Sequence, residues 1–291
     1  MLLVLASLCV YHPQPSLLEW AQSPKEHMHA EEYVDLGITG KVALVTGGSR
    51  GLGRQAALTL AREGCQVAIC ARGTDRLDEV VGELQKLSPT SIGFQADVTT
   101  AEGCAAFYKN ATEAIGPADI LVNNVGGTSG GRGFDTTTDE DFMNTLQLNL
   151  FSTIRMMRVA LPHMKERSWG RVVNVASLYG REYGGALSYM TAKASLIAFS
   201  KHMALSLAAS NVLVNTVSPG SIAFPGGGWD NFQKNNTPEV VQEFVTRHLP
   251  MGKFGWPEPF GELVAFLCSD KADLIAGASI GIDGGQAKSL I

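Results

Sequence analysis

The segment SYMTAK, residues 188–193, places Tyr189 and Lys193 four positions apart in a stretch with helical spacing. Positions i and i+4 share one face of a helix, so a phenol and an ammonium are presented to the same space. Two readings suit the pair. One is a surface tyrosine with a lysine stem laid along its ring. The other is a proton donor whose acidity is tuned by a fixed positive charge, because a nearby cation favours the phenolate. A second chemical signal is the turn TGGSRGLG at 46–53. Gly47, Gly51 and Gly53 permit a tight turn that aims backbone amides at an anion beside the next helix N-terminus. There is no G-K-[ST], which removes an ATPase phosphate loop. A dinucleotide at such a turn calls for a discriminating residue about twenty positions on, where an acid accepts from the ribose 2′-hydroxyl of NAD. Here the next apolar run ends VAICAR, with Ala71 in that place and Arg72 after it. Arg50 and Arg72 could equally be solvated surface charges. Without an acid beside them, they favour the 2′-phosphate of NADP, which guanidinium groups contact bidentately.

Elements that must position these residues follow from the periodicity. Apolar runs at 42–48, 66–70, 91–96, 119–127, 170–177 and 212–220 read as strands. Helical spacing at 54–64, 75–87, near 101–115, from Thr138 to Glu166 and at about 188–209 fills the gaps. The acids Asp139, Glu140 and Asp141 follow a run of threonines and read as first-turn capping charges. The alternation predicts an α/β fold: a doubly wound parallel sheet of about seven strands, helices on both faces, with ligands beyond the carboxyl ends of the strands. Residues 1–36 read as a disordered extension and 37–291 as one dinucleotide-binding catalytic domain. In the extension, His12, His27 and His29 lack a matching ligand cluster, so no metal site is expected, and Met28 is a sensible alternative start.

Composition excludes several classes. The 291 residues are 45% hydrophobic and 18% charged with net charge -5, which offers no electrostatic footprint for nucleic acid. No apolar run approaches the ~20 residues of a membrane span. Five scattered cysteines without C-x-x-C suit free thiols in a reducing, cytoplasmic setting.

Taken together, the motifs from about Gly40 to Gly285 resemble the short-chain dehydrogenase/reductase family, in the manner of its 3-oxoacyl-[acyl-carrier-protein] reductases. TGGSRGLG resembles the family's T-G-x-x-x-G-x-G, which implies cofactor contacts from Gly47, Ser49, Arg50, Gly51, Leu52 and Gly53. ADV at 96–98 is similar to its adenine contact, carried to Asp97 and Val98. NNVGG at 123–127 resembles N-N-A-G, carried to Asn124 and Gly126, and SPG at 218–220 the nicotinamide-side turn, carried to Pro219 and Gly220. The resemblance resolves the opening pair: Y-x-x-x-K with a serine about a dozen residues upstream is the family's active pattern. Tyr179 and Tyr183 have Tyr183 and Leu187 at i+4, so Tyr189 alone has its lysine. Ser177 and Asn149 complete an implied tetrad. The implied activity is hydride transfer between NADP(H) and a ketone or secondary alcohol, with Tyr189 as general acid/base, Lys193 tuning it and holding the ribose, Ser177 on the substrate oxygen, and Asn149 supporting a water relay.

One departure is Phe224 where the family often has a threonine that binds the carboxamide; the backbone of Ile222 is the expected substitute. PGGGWDNF at 225–232 reads as part of a mobile lid. Arg132 borders the same pocket, as a solvated loop charge or a contact for an anionic substrate. Arg155, Arg158, Lys165 and Arg167 suit either a basic face for an acidic carrier protein or a plain amphipathic helix. A 3-oxoacyl thioester and a cyclic or small ketone compete as substrate. The resemblance further implies a homotetramer or dimer. A non-catalytic NADP-binding sensor on the same fold is the alternative.

Overall fold

The computed structural model describes residues 34–290. The expectations for residues 1–33, including the Met28 start and the three histidines, lie outside the described residues. From Leu36 on the chain forms one compact unit.

Seven strands build one parallel sheet: β1 (Val42–Thr46), β2 (Gln66–Ala71), β3 (Ile92–Gln95), β4 (Ile120–Asn123), β5 (Gly170–Val175), β6 (Val212–Pro219) and β7 (Ser279–Ile282). Their order is β3-β2-β1-β4-β5-β6-β7. The direction of winding reverses between β1 and β4, which opens a crevice there beyond the strand ends. Strands β1, β4, β5 and β6 are buried at every position. That is why they read as unbroken apolar runs rather than alternating ones. Successive side chains still face opposite ways. Ala43, Val45, Ile120, Val122 and Val173 join one core layer, and Val42, Leu44, Leu121 and Val172 the other. Each fully buried Val, Leu or Ile contributes roughly 1.5–3 kcal/mol.

The first layer is covered by α1 (Gly51–Arg62), α2 (Asp75–Leu87) and α9 (Glu258–Cys268). The second is covered by α3 (Ala101–Ile115), α5 (Ser152–Glu166) and α6 (Leu187–Leu207). The helix expected from Thr138 to Glu166 is present as one unbroken helical run over 139–166, but it carries a π-helical turn (Gln147–Phe151) between α4 (Asp139–Leu146) and α5. Thr138 accepts from the Asp141 amide at 3.1 Å and the Asp141 carboxylate accepts from the Thr138 amide at 3.1 Å, so Asp141 is indeed a capping charge. The Thr138 amide, the Thr138 hydroxyl and the Ser129 hydroxyl together hold its carboxyl below the usual range.

The expected lid is also structured. Residues Gly228–Asn235 form α7, which pairs with α8 (Pro238–His248). Trp229 packs on Phe244 and Phe254, with ring centres 4.9 and 5.5 Å away, and Phe232 on Phe244 at 5.2 Å. These half-buried rings form a cluster, with Trp229 also lining the cleft over the carboxyl ends of the strands, which the glycine-rich text of 225–228 did not signal. No helix among the described residues is long and apolar enough to cross a membrane.

Candidate active site

A cleft of about 1260 Å³ opens over the carboxyl ends of the strands. Its floor at one end is the β1–α1 turn. The first turn of α1 has no side-chain cap and no acid, so its amides are available to an anionic group. Gly53 is fixed by close approach: a Cβ there would lie 2.3 Å from Asn124 Nδ2 and 2.4 Å from the Gly47 carbonyl. Asn124 donates to the carbonyls of Thr46 and Gly47 at 3.0 and 3.2 Å, tying the end of β4 to the glycine turn. Its amide is therefore spent on shaping the turn. Gly47, Ser49, Arg50, Leu52, Arg72, Asp97, Val98, Asn124, Gly126, Pro219, Gly220 and Ile222 all line the cleft, whereas Gly51 and Gly53 lie behind its surface. Burial works against ionisation of Asp97, yet the amide and hydroxyl of Thr99, with Arg72 nearby, hold its carboxyl below the usual range. Arg76 joins Arg50 and Arg72 at this end. Sequence reasoning missed it because a charge in the first turn of a helix reads as solvated. Phe224 packs on the turn, its Cζ 2.5 Å from where a Gly51 Cβ would stand.

The other end gathers Ser177, Tyr189 and Lys193. Ser177 follows β5 in extended conformation and its Oγ accepts from the Tyr179 amide at 3.2 Å. Tyr189 and Lys193 project from the first two turns of α6, with Lys193 Nζ 5.6 Å from the phenol ring centre. Lys193 is 2% exposed and donates to the Val175 carbonyl at 2.7 Å. Burial pulls its ammonium down to about 7. Burial likewise pushes the Tyr189 phenol up, with the Ser177 hydroxyl acting against the rise and the Tyr179 phenol adding to it. The sequence suggests a tyrosine made more acidic by its lysine. Among the protein's own groups the direction is reversed, because desolvation disfavours both the phenolate and the ammonium.

Asn149 sits in the π turn, fully buried and outside the cleft surface. It donates to the carbonyls of Gly127 and Thr145, both at 2.7 Å, and accepts from the Gly127 amide at 3.2 Å. The π turn redirects this side chain across the helix axis toward the β4 loop. Gly126 stands between the two helices: a Cβ there would lie 2.8 Å from Asn149 Oδ1 and 2.9 Å from Lys193 Nζ. Gly126→Ala must therefore displace one of them, and turnover is expected to fall at least about tenfold with a geometric error of this kind. Unaltered single-turnover rates would show that the two groups have slack. A further set escaped sequence reading. Asn123 donates to Asn174 at 2.9 Å, Asn174 to Ser200 at 2.8 Å, and Ser200 to the Leu196 carbonyl at 2.7 Å. This buried ladder fastens α6 to β4 and β5. Arg155, on the expected basic face, instead donates to the Thr99 carbonyl and lies over the Phe151 ring.

A parallel sheet wound in this order, with an uncapped glycine turn at its switch point and a Ser–Tyr–Lys group across the cleft, defines the nicotinamide-dependent oxidoreductase class. The short chain dehydrogenase model matches residues 41–231. The 3-oxoacyl-[acyl-carrier-protein] reductase of Aquifex aeolicus is 34% identical over 255 residues, 87% of this chain and 100% of that protein. The 7alpha-hydroxysteroid dehydrogenase of Escherichia coli K12 is 30% identical over 257 residues, 88% and 98% of the two chains. L-sorbose reductase from Gluconobacter frateurii, solved with NADPH and L-sorbose, superposes with TM-score 0.80 at 31% identity, covering 88% of this chain and all of that one. The chain belongs to the short-chain dehydrogenase family and is an oxidoreductase acting on CH–OH groups.

Proposed function

We propose that the chain is an NADPH-dependent carbonyl reductase, reversible as an alcohol dehydrogenase, with Asn149, Ser177, Tyr189 and Lys193 as its catalytic group. The observation that carries this reading is the cleft itself, with Ser177, Tyr189 and Lys193 at one end and Arg50, Arg72 and Arg76 at the other. The glycine turn and the open amides of α1 fit a pyrophosphate, and Asp97 and Val98 flank the place of an adenine. Pro219, Gly220 and Ile222 would border the nicotinamide, and the structure has no side-chain hydroxyl at Phe224 to meet its carboxamide.

When bound, the reduced nicotinamide supplies a hydride to the carbonyl carbon. The carbonyl oxygen takes up negative charge as this happens, and Tyr189 donates its proton to it. Ser177 donates a hydrogen bond to the same oxygen, stabilising charge where it develops. Lys193 holds the ribose, and its positive charge favours the phenolate left on Tyr189. The Val175 carbonyl keeps it in place. Asn149 keeps Lys193 supplied with protons through water. In oxidation the order reverses and Tyr189 is the base.

Substrates of this reading are a 3-oxoacyl thioester or a cyclic or small ketone, the kinds of molecule named for its relatives. Exposed Met143 and Leu205, on α4 and α6, favour a homo-oligomer, and the free buried thiols a cytoplasmic setting. Following nicotinamide absorbance with NADPH and NADH over a ketone panel tests the reading. Arg72→Ala is expected to raise KM for NADPH about tenfold or more, the worth of one charge-assisted hydrogen bond, and to leave NADH within threefold. Equal effects on both cofactors would remove the 2′-phosphate assignment, and turnover with NADH alone would overturn it.

A further inference from the structure

Two polar groups stand on the substrate side of the cleft without a hydrogen-bond or ion-pair partner among the described residues. Arg132 and Tyr179 both line it, beside Gly185, Ala186 and Tyr189. Among the described residues neither the Arg132 guanidinium nor the Tyr179 hydroxyl has an ion-pair or hydrogen-bond partner. The Arg132 side chain is exposed, but its backbone and the Tyr179 ring are held in place. The Arg132 carbonyl accepts from the Leu187 amide at 3.3 Å, two residues before Tyr189. The neighbouring Ser129 carbonyl accepts from the Ser188 hydroxyl at 3.3 Å, so the whole loop is docked on the start of α6. The Tyr179 ring fits against Gly184 and Gly185, where a Cβ would meet it at 2.4 and 2.8 Å, and its amide is bonded to Ser177.

The electrostatics agree with this placement. Burial pushes the Tyr179 phenol up, Arg132 pulls it the other way, and Glu182 adds to the rise. Arg132 and Tyr179 line the same stretch of the cleft. The nearby Glu182 carboxylate accepts from the amides of Lys288 and Ser289. A guanidinium and a phenol that both face a substrate cleft unpaired suit a planar, singly charged acceptor, which takes two bonds from arginine and one from the hydroxyl.

We infer that Arg132 and the Tyr179 hydroxyl form a carboxylate-recognising rim, and that the ketone handled at Tyr189 carries a carboxylate. This deepens the proposed carbonyl reduction and rests on it. The rim acts in binding and leaves the hydride and proton steps to the residues already described.

The test compares 4-oxo and 5-oxo carboxylic acids with their methyl esters, using NADPH and the full chain. The quantity read is the ratio of kcat/KM for acid over ester. The wild type is expected to favour the acid, and Arg132→Met to lower the ratio at least tenfold through KM for the acid, with Arg132→Lys restoring part of it. Tyr179→Phe is expected to lower the ratio about threefold. NADPH binding and melting temperature of each variant confirm the fold. A wild-type ratio near one, or a ratio that Arg132→Met does not move, overturns the rim while carbonyl reduction stands. No turnover of either compound or of any neutral ketone, with NADPH bound, overturns the rim together with the reductase reading.

Discussion

Tyr189→Phe is expected to lower turnover by about 10²–10⁴-fold, the usual contribution of a positioned general acid, with NADPH affinity kept within a few-fold. The phenol lies in the cleft beside Ser177 and Lys193, and Phe keeps the ring that faces the lysine. Removing one oxygen therefore leaves the pocket shape intact and takes away the proton. Measuring single-turnover hydride transfer and cofactor fluorescence on the same preparation separates the two effects. Loss of NADPH binding in step with turnover would mean that Tyr189 holds the cofactor instead. Full activity in the variant would move the proton to another donor, for which Tyr179, on the same side of the cleft, is the first candidate.

Lys193→Met is expected to lose activity on a similar scale, and it also carries a signature in stability. The folded lysine titrates at about 7, well below the 10.5 of an exposed one. Between those values the unfolded chain binds more protons than the folded chain, so folding stability rises with pH across that window. The slope from this single group reaches about 1.4 kcal/mol per pH unit. Below pH 7 both states are protonated and the penalty of burying the charge is fully present. The methionine variant lacks this dependence. The difference in unfolding free energy is therefore expected to shift in the wild type's favour as pH rises from 7 toward 10. The lost bond to the Val175 carbonyl adds an offset that does not depend on pH. Denaturant titrations of both proteins at pH 6.5 and 9 read the change directly, and parallel pH profiles would show that the buried lysine is hydrated in the folded protein.

The same burial explains why protein groups alone do not make Tyr189 a better acid. A buried lysine near its midpoint is a weak permanent cation. It becomes a strong one when negative charge develops next to it, so a tyrosinate and a protonated Lys193 stabilise each other. In the proposed reaction that moment comes as the proton leaves Tyr189.

How much could be read without the fold varies by element. The strands were legible because a parallel sheet buried on both faces demands unbroken apolar runs, as in VALVT and VLVNTV. The glycine turn and the Tyr189–Lys193 pair were legible because their spacing is short and local. The π turn at Gln147–Phe151 within the long helix was not, since LQLNLF has ordinary helical composition and the bonds between Asn149 and Gly127 are tertiary. Nor was the ordered lid, whose aromatic core needs Phe244 and Phe254 from more distant parts of the chain. Phe224 against Gly51 belongs to the same group.

The sequence by itself determined the architecture, the glycine turn and the Tyr189–Lys193 pair, because each is written in a local period or a short spacing, while Ser177 and Asn149 were offered by the resemblance to the family. Tertiary structure decided what surrounds them. It brought Arg76 to the cleft beside Arg50 and Arg72, Tyr179 to the side that holds Tyr189, and Gly126 between Asn149 and Lys193. Burial also pushes the Tyr189 phenol up, against the direction that the lysine by itself suggests. Burial is a property of everything packed around a group, and no spacing along the chain records it.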